Sequence, residues 1–171
     1  MIELRDYQQN AKDAIYEYLK DHTGNPVAVL PTGAGKTPLL ASICLDVVER
    51  WKGRVLVVSH VKELLAQQRD TLQNMCPGIS VGLHSAGLKQ RDTNQDIIVA
   101  GVQSIYKTAH TLGSFDLVIV DEAHLVPMSG DGQYRQLLGL LAANNPRVRV
   151  IGLTATPYRM KDGLICSPDH F

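Results

Sequence analysis

Pro31-Thr32-Gly33-Ala34-Gly35-Lys36-Thr37 lies between a short apolar run and an amphipathic stretch. Gly33 and Gly35 admit backbone conformations closed to other residues and leave room for phosphate oxygens. Exposed amides at the start of the following helix point at an anion there, and the helix dipole reinforces them. In that setting Lys36 reaches the outer phosphates and the Thr37 hydroxyl ligates magnesium. Pro38 falls in the first helical turn, where its missing N–H costs little. A strict pattern of glycine, four residues and Gly-Lys-Thr would need glycine at position 30, where this chain has Leu30. The strand–loop–helix context carries the assignment to nucleotide binding and leaves the reaction open.

Asp121-Glu122-Ala123-His124 directly follows the apolar run Leu117 to Val120. Two carboxylates at a strand terminus repel one another and need a cation or a proton. Magnesium held jointly with Thr37 supplies the cation. Asp121 then binds the metal largely through water, because magnesium keeps much of its hydration shell. Glu122 is left to polarise an attacking water. His124 is a candidate link to Thr154-Ala155-Thr156, a further strand-end motif whose hydroxyls can hydrogen-bond the acidic residues.

The elements that must position these groups alternate along the chain. Helical spacing runs from about Asp6 to Lys20, with Tyr7, Ala11, Ala14, Ile15, Tyr18 and Leu19 as the apolar positions. Val27 to Leu30 reads as a strand covered on both faces. Lys36 to Arg50 follows as a helix, Arg54 to Val58 as a strand, and Lys62 to Met75 as a helix. Asp96 to Ala100 and Leu117 to Val120 are strands, Gln133 to Ala143 a helix, and Val148 to Leu153 a last strand. This alternation predicts an α/β domain built on a mainly parallel sheet with helices on both faces. Ligands in such sheets bind at the carboxyl ends of strands, where the motifs stand. The tail after Arg159 reads as loosely structured.

Taken together these motifs resemble superfamily 2 helicases and translocases of the DEAD/DEAH-box type. Pro31 to Thr37 is similar to motif I, Asp121 to His124 to motif II, and Leu153 to Pro157 to motif III. Leu4-Arg5-Asp6-Tyr7-Gln8-Gln9 resembles the adenine-reading Q motif, which implies Gln8 on the adenine edge and Arg5 stacked on the ring. Val58 to Gln67 is similar to motif Ia and Gly101 to Ile105 to motif Ib, which implies nucleic-acid backbone contacts from Ser59, Lys62, Gln67, Gln103 and Ser104. The His60 to Leu64 and Leu153 to Arg159 segments look closest to bacterial RadD-type DNA helicases. The resemblance implies a RecA-like P-loop domain over residues 1–171 that uses ATP and Mg2+, with Lys36, Asp121 and Glu122 catalytic. It also implies a nucleic-acid track, DNA more than RNA. A second RecA-like domain, absent from these 171 residues, is expected to supply arginine fingers, without which turnover falls by about three orders of magnitude or more.

Composition bounds the reading. The chain is 44% hydrophobic and 20% charged, which excludes disordered and fibrous classes. Seventeen basic residues balance seventeen acidic ones, so any nucleic-acid contact must be local or completed by another domain. Cys44, Cys76 and Cys166 are widely spaced and lack metal-ligand spacing. There is no signal-peptide pattern and no membrane-length apolar run, so the expected setting is a reducing cytoplasm without membrane partners. Two alternatives stay open at this level. One is a small-molecule kinase with the same phosphate loop, which would need an arginine-rich lid. The other is a module that holds nucleotide without turnover.

Overall fold

A computed structural model describes residues 2–126, 132–159 and 163–164. Apart from 163–164, the tail after Arg159, including Cys166, lies outside the described residues. Seven strands form one sheet: β1 (Val27–Val29), β2 (Val55–Ser59), β3 (Val81–Ser85), β4 (Gln90–Arg91), β5 (Ile97–Gly101), β6 (Leu117–Asp121) and β7 (Arg149–Thr154). Their spatial order is β1-β7-β6-β2-β5-β3-β4, parallel throughout except for the β3–β4 pair. Tyr158–Arg159 and Gly163–Leu164 form a separate antiparallel pair.

The inner strands are apolar along their middles because both faces are covered, with polar residues such as Ser59, Asp121, Arg149 and Thr154 at their ends. Val55, Val57, Ile97, Val99, Leu117, Ile119, Ile151 and Leu153 face one core. Helices α1 (Asp6–Asp21), α2 (Lys36–Leu45) and α3 (Leu65–Met75) cover it. Leu56, Val58, Ile98, Ala100, Val118, Val120 and Val150 face the other core. That side is covered by α4 (Val102–Ile105) and α5 (Gln133–Asn144), with Phe115 and Tyr134 filling it. The strict alternation along each strand is the period-2 geometry of β-structure. Cys44 and Cys76 are buried and free. Among the described residues no helix is long and apolar enough to cross a membrane.

Four expectations are corrected. β1 is an edge strand, paired only with β7, and Val29 is 47% exposed, so this run is not covered on both faces. The inward stripe of α1 is Gln8, Lys12 and Ile15, whereas Tyr7, Ala14 and Tyr18 are exposed. The 36–50 helix changes to a π turn at Asp46–Arg50, and the 62–75 helix opens with a 3₁₀ turn at Lys62–Leu64. Finally β3, which sequence reading passes over, is buried along its whole length. Its Gly82, His84 and Ser85 break the apolar run that marks the other inner strands. His84 is accommodated there because its Nδ1 lies 3.0 Å from the Asp92 carbonyl.

Candidate nucleotide site and adjoining cavity

The phosphate loop leaves the end of β1 and enters α2 through Gly35, which has φ 76°, with Gly33 at φ 79°. Both values lie in the left-handed region that favours glycine. At Gly35 a Cβ would also collide with the Gln8 side chain. That close approach is functional in form: Gln8 Nε2 donates to the carbonyls of Ala34 at 2.9 Å and Gly35 at 3.0 Å. Gln8 Oε1 in turn accepts from the Arg5 amide at 2.8 Å, closing the first turn of α1. Tyr7 adds a hydroxyl that donates to Ala34 O at 2.7 Å, and Arg5 Nη1 donates to the Tyr7 hydroxyl at 3.4 Å. The segment Arg5–Gln8 is thus laced to the loop. Pro31 and Thr32 lie exposed at its rim.

The acidic motif comes to the same place from β6. Lys36 Nζ and Glu122 Oε1 are 2.5 Å apart, joining loop and motif across 86 residues of sequence. Glu122 takes a left-handed backbone, φ 51°, rare for a residue with a side chain and often found at working sites. Asp121 is held at both oxygens, by the Glu122 amide at 3.0 Å and by Gln68 Nε2 at 2.8 Å. Burial, followed by the neighbouring Glu122 carboxylate, pushes the Asp121 carboxyl above its usual range, with Lys36 opposing.

The third motif joins through His124, whose Nδ1 lies 2.8 Å from Thr154 Oγ1 and 3.4 Å from Glu122 Oε2. Thr154 Oγ1 gives its proton to the Thr156 carbonyl at 3.1 Å and accepts from the Thr156 amide at 3.1 Å. The His124 ring nitrogen completes the hydrogen bonding of that hydroxyl. Thr154 is fully buried, while Ala155 and Thr156 are half-buried beyond it. Phosphate loop, acidic pair and threonine motif stand at the ends of β1, β6 and β7, three consecutive neighbours in the sheet.

Thr37 and Asp121 line one cavity of about 180 Å³ with Leu64, Gln67, Gln68 and Thr71. Hydroxyl, carboxylate and amide oxygens are the donor chemistry of a hard cation that keeps its water. A second cavity of about 210 Å³ opens at the ends of β2, β3 and β5. Ser59, Lys62, Gln103 and Ser104 line it, so four of the five residues expected on a nucleic-acid backbone come together there. Gln67 does not: it lies on α3 beside Thr37 and Asp121. Sequence reading missed the far wall of the second cavity, Ser85-Ala86-Gly87. The Ala86 amide donates to Ser104 Oγ at 3.0 Å, and the Lys62 side chain crosses Gly87 where no Cβ would fit. It also missed His60, which lines this cavity and whose pKa is lowered by burial and by His124.

A family model described as the type III restriction enzyme res subunit matches residues 1–159. The chain belongs to that family. As a member it carries the RecA-like ATP-binding domain of superfamily 2 helicases. The res-subunit match spans every motif described above, from Arg5 to Thr156. The chain is 35% identical over 159 residues to a protein of Sulfurisphaera tokodaii named DNA 3'-5' translocase XPB2, covering 92% of this chain. It spans 32% of that relative's length and 23% of the length of a Saccharomyces cerevisiae relative. The fold of this res-family domain matches the UvsW helicase of bacteriophage T4, with TM-score 0.71 and 20% identity over 91% of the chain and 54% of UvsW. It also matches the SWI2/SNF2 ATPase core of Sulfolobus solfataricus, with TM-score 0.69 and 19% identity over 91% of this chain and 32% of that one.

Proposed function

We propose that these residues form the first RecA-like half of a DNA helicase or translocase, which binds ATP with Mg2+ and hydrolyses it when joined to a second RecA-like domain. The observation that carries this reading is the Lys36–Glu122 contact, with Thr154 tied to the same carboxylate through His124. A phosphate-binding lysine, a candidate base and a motif able to face a partner domain are thereby brought into one chain of contacts.

In this reading Gly33, Ala34, Gly35 and Lys36 cradle the phosphates, and Pro31 and Thr32 form the rim. Gln8 and Arg5 read adenine. Thr37 and Asp121 hold the hydrated magnesium, which neutralises phosphate charge when bound. Glu122 orients water and accepts its proton, and His124 passes the state of the site to Thr154, Ala155 and Thr156. Ser59, Lys62, Gln103 and Ser104, with Ser85 to Gly87, contact the track through its phosphates, which positions it without reading sequence. Gln67 fits the metal side better than the track. DNA as the track is supported by the names of relatives: a DNA translocase, DNA helicases and a double-stranded DNA complex. The RadD-type branch rests on the His60 to Leu64 and Leu153 to Arg159 segments, and the cytoplasm is the compartment.

The test is ATP turnover by the 171 residues and by the full-length protein, each with single-stranded DNA, single-stranded RNA or duplex DNA. DNA-stimulated turnover in the longer protein, abolished by Lys36→Ala together with ATP affinity in calorimetry, is the expected result. Robust turnover by the short chain, indifferent to nucleic acid, would overturn the split-motor reading in favour of a small-molecule acceptor.

A further inference from the structure

Gln68 stands on the first turn of α3 and was not among the residues that the motifs single out. Its neighbours one turn away on the inward face, Leu65 and Leu72, are fully buried, so an amide sits on an apolar stripe. Its Nε2 donates to Asp121 Oδ2 at 2.8 Å. A carboxylate offers only acceptors, so the amide must turn its NH2 group toward Asp121, and this fixes the direction of its oxygen. Gln68 Oε1 is buried without a hydrogen-bond partner among the described residues. A buried acceptor left in that condition is destabilising until something donates to it. The residue also lines the cavity of about 180 Å³ shared with Thr37 and Asp121, which has room for several waters at about 30 Å³ each.

We propose that Gln68 is a positioning residue of the metal site, with Nε2 fixing the Asp121 carboxylate and Oε1 accepting a hydrogen bond from a metal-bound water. This rests on the reading of Thr37 and Asp121 as the metal-holding pair. A cation that keeps most of its hydration shell is held largely through its waters, so an acceptor aimed at them contributes to affinity without touching the ion. The double use of the amide also explains why a polar residue occupies the apolar side of α3. Alanine or leucine there removes both contacts, and leucine keeps the packing against Leu65 and Leu72.

The experiment titrates MgCl2 into the full-length protein with the fluorescent nucleotide mant-ADP, and repeats the nucleotide titration in EDTA. Gln68→Ala and Gln68→Leu are compared with Asp121→Asn. Both Gln68 variants are expected to raise the MgCl2 midpoint by about tenfold or more, the usual consequence of losing an outer-shell partner. Their mant-ADP affinity in EDTA should match the parent, which a general loosening of the fold would not allow. A shifted midpoint for Asp121→Asn beside unshifted Gln68 variants overturns this inference alone. Unshifted midpoints for all three overturn the metal-pair reading, and this inference with it.

Discussion

Glu122 is committed twice. Its carboxylate holds Lys36, and the same group is the candidate base once phosphates take the lysine. Glu122→Gln keeps the shape, loses the charge that competes for Lys36 and loses the proton acceptor. The full-length variant should bind ATP at least as tightly as the parent while turnover falls by about 10²–10⁴, as for removal of a general base. Calorimetry and phosphate release measure the two effects separately. Residues of this kind were legible in the sequence because each directly follows an apolar strand, and strand ends are where an α/β sheet gathers its ligands. Gln68 was not, since its partner stands 53 residues away. A polar residue spaced between Leu65 and Leu72 at helical intervals was the available signal.

At the level of elements, α1 and α2 are joined by polar contacts as well as by their shared apolar core. Lys12 Nζ lies 2.6 Å from Asp46 Oδ2 and 2.7 Å from Ser42 Oγ, and the Tyr16 hydroxyl donates to Asp46 at 2.8 Å. Burial pushes the Asp46 carboxyl up, but the hydrogen bonds and charges of Lys12, Tyr16 and Arg50 prevail and hold it below its usual value. A folded-state pKa below the unfolded one adds stability that is present above the ordinary carboxylate value. That stability is lost as pH falls below about 4. Asp46→Asn leaves Lys12 buried and uncompensated, so it should cost about 3–5 kcal/mol at neutral pH. Thermal unfolding followed from pH 7 to pH 3 checks both parts: the gap between parent and variant should close toward the acid end. Sequence periodicity found α1 but misassigned its inner face, because a buried lysine makes sense only beside a carboxylate 34 residues on. The strands were legible wherever both faces carry apolar side chains, and β3 was not because polar His84 and Ser85 are buried in it, His84 against the Asp92 carbonyl.

For the whole molecule the balance of charge is informative. With seventeen cationic and seventeen anionic residues, net charge gives no broad attraction to a polyanion, and in the proposed reading these residues meet the track at the cavity around Lys62. Binding of duplex DNA should therefore depend only weakly on salt for a protein of this type. Lys62→Ala should reduce the slope of log affinity against log salt by about 0.9, one phosphate contact, alike for all sequences. A titration by fluorescence anisotropy at several salt concentrations gives the slope. An unchanged slope removes Lys62 from the track. The segment 62–68 spans both cavities, with Lys62 in one and Gln68, bonded to Asp121, in the other.

β1 has a neighbour on one side only, and just three register pairs, Val27 with Gly152, Ala28 with Leu153 and Val29 with Thr154, tie it to the sheet. The phosphate loop hangs from the end of that strand. Opening at this margin breaks pairs with β7 alone and leaves the five inner strands paired among themselves, the setting in which an edge element opens locally. A nucleotide that bridges Lys36 to the acidic motif on β6 fastens that element to the interior. The ligand is then a structural rivet as well as a fuel, and the domain that binds it is a more cooperative folding unit than the one that waits for it.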